Sequence, residues 1–254
     1  MIRWLVFAYG LFAFLVGFVG LVWFALLLAD WMPASLSVDR GTADVQAVNG
    51  SDSASPAVAI SLVINVALMV LFGLQHSVMA RPGFKRVLTR VIPRAAERST
   101  YVLLSGIVLI LIAAWWQPLP GFVWQIENTP ARVALSTLQM GGWLLLLAAA
   151  FTINAWDLFG VAQVWRYLQG KNEPTPEFTE RGLYRIVRHP IQLGVLIGIW
   201  VTPVMSTSHL LLSTAMTLYI LIALQLEERD LRNSLGDAYE DYRRRVPMLL
   251  PLPR

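Results

Sequence analysis

Gly182-Leu183-Tyr184-Arg185-Ile186-Val187-Arg188-His189-Pro190 opens a run that carries no Asp, Glu, Lys or Arg from Ile191 to Leu226 and closes on Glu227-Glu228-Arg229-Asp230-Leu231. Those 36 residues would make roughly 54 Å of helix, nearly twice the ~30 Å hydrocarbon thickness of a bilayer. One helix cannot hold them. Thr202-Pro203 and Ser206-Thr207-Ser208-His209 interrupt the run near its middle, because proline lacks a helical donor and Ser/Thr clusters mark turns. A helical hairpin follows. Its open ends lie on one side of the membrane, which brings Arg188-His189 and Glu227-Glu228 within reach of one ligand that carries both charges.

The rest of the chain reads the same way. Apolar residues make up 56% and charged residues 14%, with ten tryptophans in 254 residues, the composition of a multi-pass membrane protein. Apolar segments at Trp4–Ala29, Val58–Gln75, Tyr101–Trp116 and Val133–Ala155 join the two hairpin arms to give six crossings, the third and the hairpin arms being short. With the N-terminus inside, 18 of the 20 Lys and Arg fall in inside segments and only Arg40 and Arg132 outside. That asymmetry sets both termini, and both charged clusters, in the cytoplasm. The fold class is therefore all-α: an integral membrane helical bundle of five to six transmembrane helices with a C-terminal hairpin and a cytoplasmic ligand site.

One membrane domain covers 1–254, with residues 30–56 as a flexible external loop and 182–252 as the ligand-binding region. The turn-rich Lys171–Pro176 linker is placed to fold over a ligand. A net charge of +4 and a pI near 9.7 come from short loops beside apolar segments, where anionic headgroups account for them and nucleic acid is not needed. The first apolar segment is too long for a signal-peptide core and lacks a small-x-small exit. Zero cysteines exclude disulfides, thiolate metal sites and a cysteine nucleophile, and three isolated histidines offer no metal site.

Arg188-His189-Pro190, Gly194, Glu227-Glu228-Arg229-Asp230-Leu231, Gly236, Tyr239, Tyr242 and Val246-Pro247 resemble the C-terminal pattern of the isoprenylcysteine carboxyl methyltransferase and phospholipid methyltransferase group. Phe72–Arg81, Glu97–Leu103, Trp116–Pro120 and Asp157–Gly160 are similar to the methanethiol S-methyltransferase family, and also to nurim-type and NnrU-type membrane proteins. The resemblance spans about residues 60 to 252. It departs at Gln192, where the wider group has tyrosine, which speaks against an isoprenylcysteine acceptor.

The resemblance implies S-adenosylmethionine as methyl donor and methanethiol as acceptor, in a bacterial-type inner membrane. Physical chemistry agrees about the donor, whose carboxylate, ammonium and sulfonium ask for a cation, an anion and an aromatic wall. Arg188 is suited to the carboxylate, with a helix N-terminus at Pro190 beside it. His189 shares that cluster. Glu227 or Glu228 accepts the ammonium or a ribose hydroxyl, Gly194 admits close backbone approach, and Tyr184, Tyr239 or Tyr242 faces the cation. The structural alternative makes the charged residues snorkelling or paired groups at the membrane boundary, and Tyr239 and Tyr242 interfacial anchors.

Methanethiol needs a small apolar pocket and one group to take its proton, because the thiolate is the nucleophile. Candidates are His76, Asp157 and His189, each with a structural alternative: a hydrogen-bonded histidine at a helix end, or an Asp157 paired with Arg98 or Arg166. Trp156, Phe159 and Trp165 are candidate pocket walls or interface anchors. Three other classes stay open: a methyltransferase for another small thiol or a lipid or isoprenoid acceptor, a sterol-reductase-like NADPH enzyme, and a nurim-like or NnrU-like protein without catalysis. Oligomeric state has no signature in the sequence.

Overall fold

The computed structural model describes residues 1–29, 33, 36–42, 55–174 and 180–251. In chain order its helices are α1 (Ile2–Leu27), α2 (Pro56–Ala80), α3 (Pro82–Leu88), α4 (Arg94–Trp115), α5 (Thr129–Ile153), α6 (Ala155–Leu158), α7 (Val161–Leu168), α8 (Pro190–Trp200), α9 (Thr207–Leu235) and α10 (Asp237–Arg245). A 3-10 turn occupies Gly182–Arg185, and two strands, β1 (Phe122–Gln125) and β2 (Val204–Ser206), pair antiparallel. Among the described residues the protein is thus all-α apart from one short ribbon. Five helices, α1, α2, α4, α5 and α9, are long and apolar enough to cross a membrane.

The sixth expected crossing is incomplete. Helix α8 has 11 residues, about 16 Å or half a bilayer, and the chain continues through an extended break that includes β2. Irregular backbone at membrane depth survives only where its polar groups are satisfied within the protein. Here Gln139 donates to the Gly198 carbonyl at 3.0 Å, Ser213 to Ile199 at 2.8 Å and the Ile126 amide to Pro203 at 2.9 Å. The Ser206 hydroxyl accepts the His209 amide at 3.0 Å and so caps α9. Ser208 and His209, expected in the turn, lie instead in the first turn of that helix. From Ser208 to Glu228, α9 rises about 30 Å, one bilayer thickness.

The chain divides into two compact units. The first comprises Met1–Gln125, Ala155–Pro174 and Val204–Leu212. In it, α1 buries Val6, Gly10, Ala13, Gly17, Gly20, Phe24 and Leu27, alternating steps of four and three that keep one face toward its neighbours. Four of the seven are glycine or alanine. A Cβ on Gly20 would stand 2.4 Å from the Gly106 carbonyl oxygen, and one on Gly106 2.5 Å from Gly17 Cα, so α1 and α4 meet backbone to backbone. In lipid, where apolar surface gives helices no reason to associate, such small-residue contact supplies the packing.

Most of the loop expected at 30–56 lies outside the described residues. Within its described part, Arg40 donates to the carbonyls of Ala113, Ala114 and Trp116 at 2.9–3.2 Å, closing the C-terminal end of α4. The second unit comprises Ile126–Asn154, Thr175–Pro203 and Ser213–Arg254. Helices α5 and α8 meet there through Gly142, Gly194 and Gly198. A Cβ on Gly194 would be 2.6 Å from both the Gly142 oxygen and the Leu146 nitrogen.

Candidate functional site

The second unit carries the charged residues singled out in the sequence. His189 ends the connecting segment and Pro190 opens α8 at a position where its missing amide costs nothing. From the far arm of the hairpin, α9 brings Glu228, and Gly236, at φ 58°, turns the chain into α10 with its paired tyrosines. Arg188, His189, Glu228, Tyr239 and Tyr242 are all buried, each no more than 6% exposed.

Glu228 is the hub. Its Oε1 accepts from Arg188 Nε, His189 Nε2 and the Tyr239 hydroxyl, all at 2.8 Å, and its Oε2 accepts from Arg188 Nη2 at 3.1 Å. Arg188 uses Nη1 on the carbonyls of Arg243 (3.0 Å) and Val246 (2.7 Å), so four of a guanidinium's five N–H groups are engaged. The segment after α10 is tied down by backbone as well: the amides of Arg188 and His189 donate to Pro247 at 2.9 Å and Met248 at 3.1 Å. The Tyr242 hydroxyl donates to the Tyr184 carbonyl at 2.6 Å, and Arg245 pairs with Glu180 at 2.7 Å. Burying an ion pair is favourable only with such complete hydrogen bonding.

Glu227 stands apart. One residue earlier, it points about 100° round the helix; its side chain is 46% exposed and sits 4.0 Å from His189 Nδ1. Among the described residues no Lys or Arg pairs with it. Tyr184 shares this corner: burial foremost, then the Glu227 charge, raises its phenol above the ordinary value. Burial likewise raises Tyr239 and pushes Tyr242 up to about 12. The space beside Gly194 is taken by α5.

The other candidates belong to the first unit. His76 is held on both ring nitrogens, by the Tyr101 hydroxyl at Nε2 and by Ser105 at 3.1 Å from Nδ1, and stacks on Phe72 at 5.1 Å. Arg98 lies 4.8 Å above the Tyr101 ring and donates to the Leu158 carbonyl at 2.7 Å, while Ser99 donates to Gly160. Three stretches far apart in sequence, 72–81, 97–103 and 157–160, therefore form one interlocked cluster. Asp157 pairs with Arg166 at 2.5 Å, and Arg166 also binds Glu173 at 2.6 Å. Phe14 packs against Trp156 and Phe159, and Trp165 against Phe7. Part of the 171–176 linker, residues 175 and 176, lies outside the described residues.

Tyr101 and Ser105 escaped the sequence-based choice of site residues, although Tyr101 sits in a quoted motif. The carbonyls of residues 243 and 246–248 escaped it too, because a backbone acceptor leaves no mark in residue type.

A family model for phospholipid methyltransferases matches residues 136–238. The chain is 39% identical over 252 residues to methanethiol S-methyltransferase 1 of Bradyrhizobium diazoefficiens, covering 99% of this chain and 84% of that one. It is 48% identical over 193 residues to the methanethiol S-methyltransferase of Mycobacterium tuberculosis, covering 76% and 79%. Nurim of Bos taurus is 30% identical over 183 residues, covering 69% and 70%. No solved structure matches the chain.

Proposed function

The chain belongs to the methanethiol S-methyltransferase family, and from that premise we propose that it methylates methanethiol with S-adenosylmethionine, giving dimethyl sulfide and S-adenosylhomocysteine. The observation that carries this reading is the buried Arg188–His189–Glu228–Tyr239 cluster with Glu227 beside it. Beside that cluster, half-exposed Glu227 and the Tyr184 corner offer an anion and an aromatic ring to a donor that carries an ammonium and a sulfonium.

The donor supplies an electrophilic methyl group. In this reading Tyr184, Arg188, His189, Gly194, Glu227, Glu228, Tyr239 and Tyr242 build its binding region. On the acceptor side the thiol proton would pass to a base and the thiol sulfur would take the methyl group, the donor's sulfonium–methyl bond breaking with its electron pair left on the sulfur of S-adenosylhomocysteine. His189, with Nε2 donated to Glu228, offers Nδ1 for that proton; His76 and Asp157 are the other two candidates. Burial favours the reaction, because thiolate meeting sulfonium cancels charge. The arginine and lysine asymmetry supports an orientation with both termini, and so the donor site, on the cytoplasmic side of a bacterial inner membrane.

The test is direct. Purified protein in detergent receives S-adenosylmethionine and methanethiol, and headspace dimethyl sulfide is measured beside S-adenosylhomocysteine. Both products, each requiring both substrates, are expected. Donor binding without dimethyl sulfide would move the acceptor to another thiol or a lipid. A folded protein that binds no donor would favour the reading that the nurim relationship offers, a membrane protein without this chemistry.

A further inference from the structure

The paired glutamates sit in opposite circumstances, and the difference assigns them different work. Glu228 takes four hydrogen bonds on two oxygens, from Arg188 twice, His189 and Tyr239. An ionised carboxylate has about four lone-pair sites, and as many donor bonds reach this one, three of them crowded on Oε1. Its side chain is 7% exposed and that of Arg188 5%. The guanidinium it fixes reaches past it to the carbonyls of Arg243 and Val246, and the backbone beside that guanidinium takes Pro247 and Met248. The whole arrangement is closed on itself. Glu227, by contrast, is half-exposed, has no Lys or Arg partner among the described residues, and faces His189 Nδ1 and the corner of Tyr184.

We propose that Glu227 is the carboxylate that meets the ammonium of the methyl donor's amino-acid portion, and that Glu228 is a positioning residue that locks Arg188 and, through it, seats residues 243–248 over the start of α8. The assignment rests on the methyl-donor reading above and divides roles within it. Arg188, with a single N–H remaining, likewise acts through the segment it holds rather than by forking onto a ligand. Tyr239, the third donor to Oε1, belongs to the lock.

S-adenosylhomocysteine tests this without turnover, since it keeps the amino-acid portion of the donor. Its binding is measured by calorimetry on the full chain in detergent, beside the thermal midpoint of each variant. Glu227→Gln should weaken binding roughly 10- to 100-fold, the worth of one charge-assisted hydrogen bond, with the midpoint unchanged. Glu227→Asp should recover part of the affinity. Glu228→Gln should lower the midpoint by several degrees, and Tyr239→Phe, which removes one bond of the lock and leaves both charges, should lower it less. Should Glu228→Gln fail to fold, that failure and the smaller shift of Tyr239→Phe together support the lock. Normal affinity in Glu227→Gln, or weakened affinity with an unmoved midpoint in Glu228→Gln, overturns the division while leaving the methyl-donor reading intact. A folded wild-type chain that binds no S-adenosylhomocysteine overturns both.

Discussion

Four hydrogen bonds converge on Glu228, and its three donor residues lie 39 or more positions away, as Arg188 and His189 do, or in α10, as Tyr239 does. Breaking such a pair from either side leaves a charge buried with no partner. Arg188→Ala and Glu228→Ala should each cost about 3–5 kcal/mol, seen as a large fall in denaturation midpoint in detergent, whereas Arg244→Ala, at an exposed ion pair, should cost under about 1 kcal/mol. The tyrosines of the same group give a pH dependence. Burial foremost, then the Glu180 charge, raises Tyr242 from 10.0 to about 12 in the folded protein. The folded state thus holds this proton more tightly than the unfolded one, so its contribution is complete below about pH 10 and disappears as pH climbs through about 12. Tyr184 and Tyr239 shift the same way. Thermal midpoints taken from pH 8 upward should therefore drop steeply in the alkaline range, and Tyr242→Phe should make that drop shallower.

Helices in this protein are joined where side chains are missing. Gly142 faces the backbone of Gly194 and Gly198, with a Cβ position 2.7 Å from the Gly198 nitrogen, while nothing lies within 4 Å of the Cβ position on its neighbour Gly141. Gly142→Val should cost at least the roughly 1–3 kcal/mol of an overpacked contact, and Gly141→Val should be tolerated; fluorescence-detected size exclusion across a temperature series separates the two. Hydropathy alone made the five long helices legible. It did not show that α4 begins at Arg94, because Arg94–Thr100 is polar and its helical register appears only through buried Ala95, Ala96 and Ser99. Nor did it show that α8 is short, since the run from Ile191 to Leu226 is greasy on both sides of the break. The meeting of Arg188 with Glu228 was legible from the hairpin. Their mutual pairing was the structural alternative that the sequence offered, whereas the hold of Arg188 on the carbonyls of Arg243 and Val246 was not legible, because a backbone acceptor leaves no mark in residue type. For Asp157, pairing with Arg166 nine positions away was one of the two partners the sequence offered.

At the scale of the molecule, one arginine set on the outer side by the charge asymmetry has a structural explanation: Arg40 closes the last carbonyls of α4. Removing it from the charge tally leaves the asymmetry sharper. Reporter fusions after Arg90 should read cytoplasmic and after Glu127 periplasmic; the reverse pattern would place the Arg188–Glu228 group on the side that lacks S-adenosylmethionine. The glycine contact between α1 and α4 reaches further, into how the protein is made. Helix α4 brings polar groups into the bilayer, Ser99, Tyr101 and Ser105 among them, all buried against its neighbours. Those polar groups lower the gain from placing α4 in lipid alone, so contact with a companion already in place assists its entry. Helix α1, which carries no Asp, Glu, Lys or Arg after Arg3 and precedes α4 in the chain, presents a groove of glycines shaped for it. A chain made without residues 1–27 should then leave α4 stalled at the translocon and open to quality-control proteases, a defect of biogenesis that pulse-chase labelling would register before any loss of chemistry.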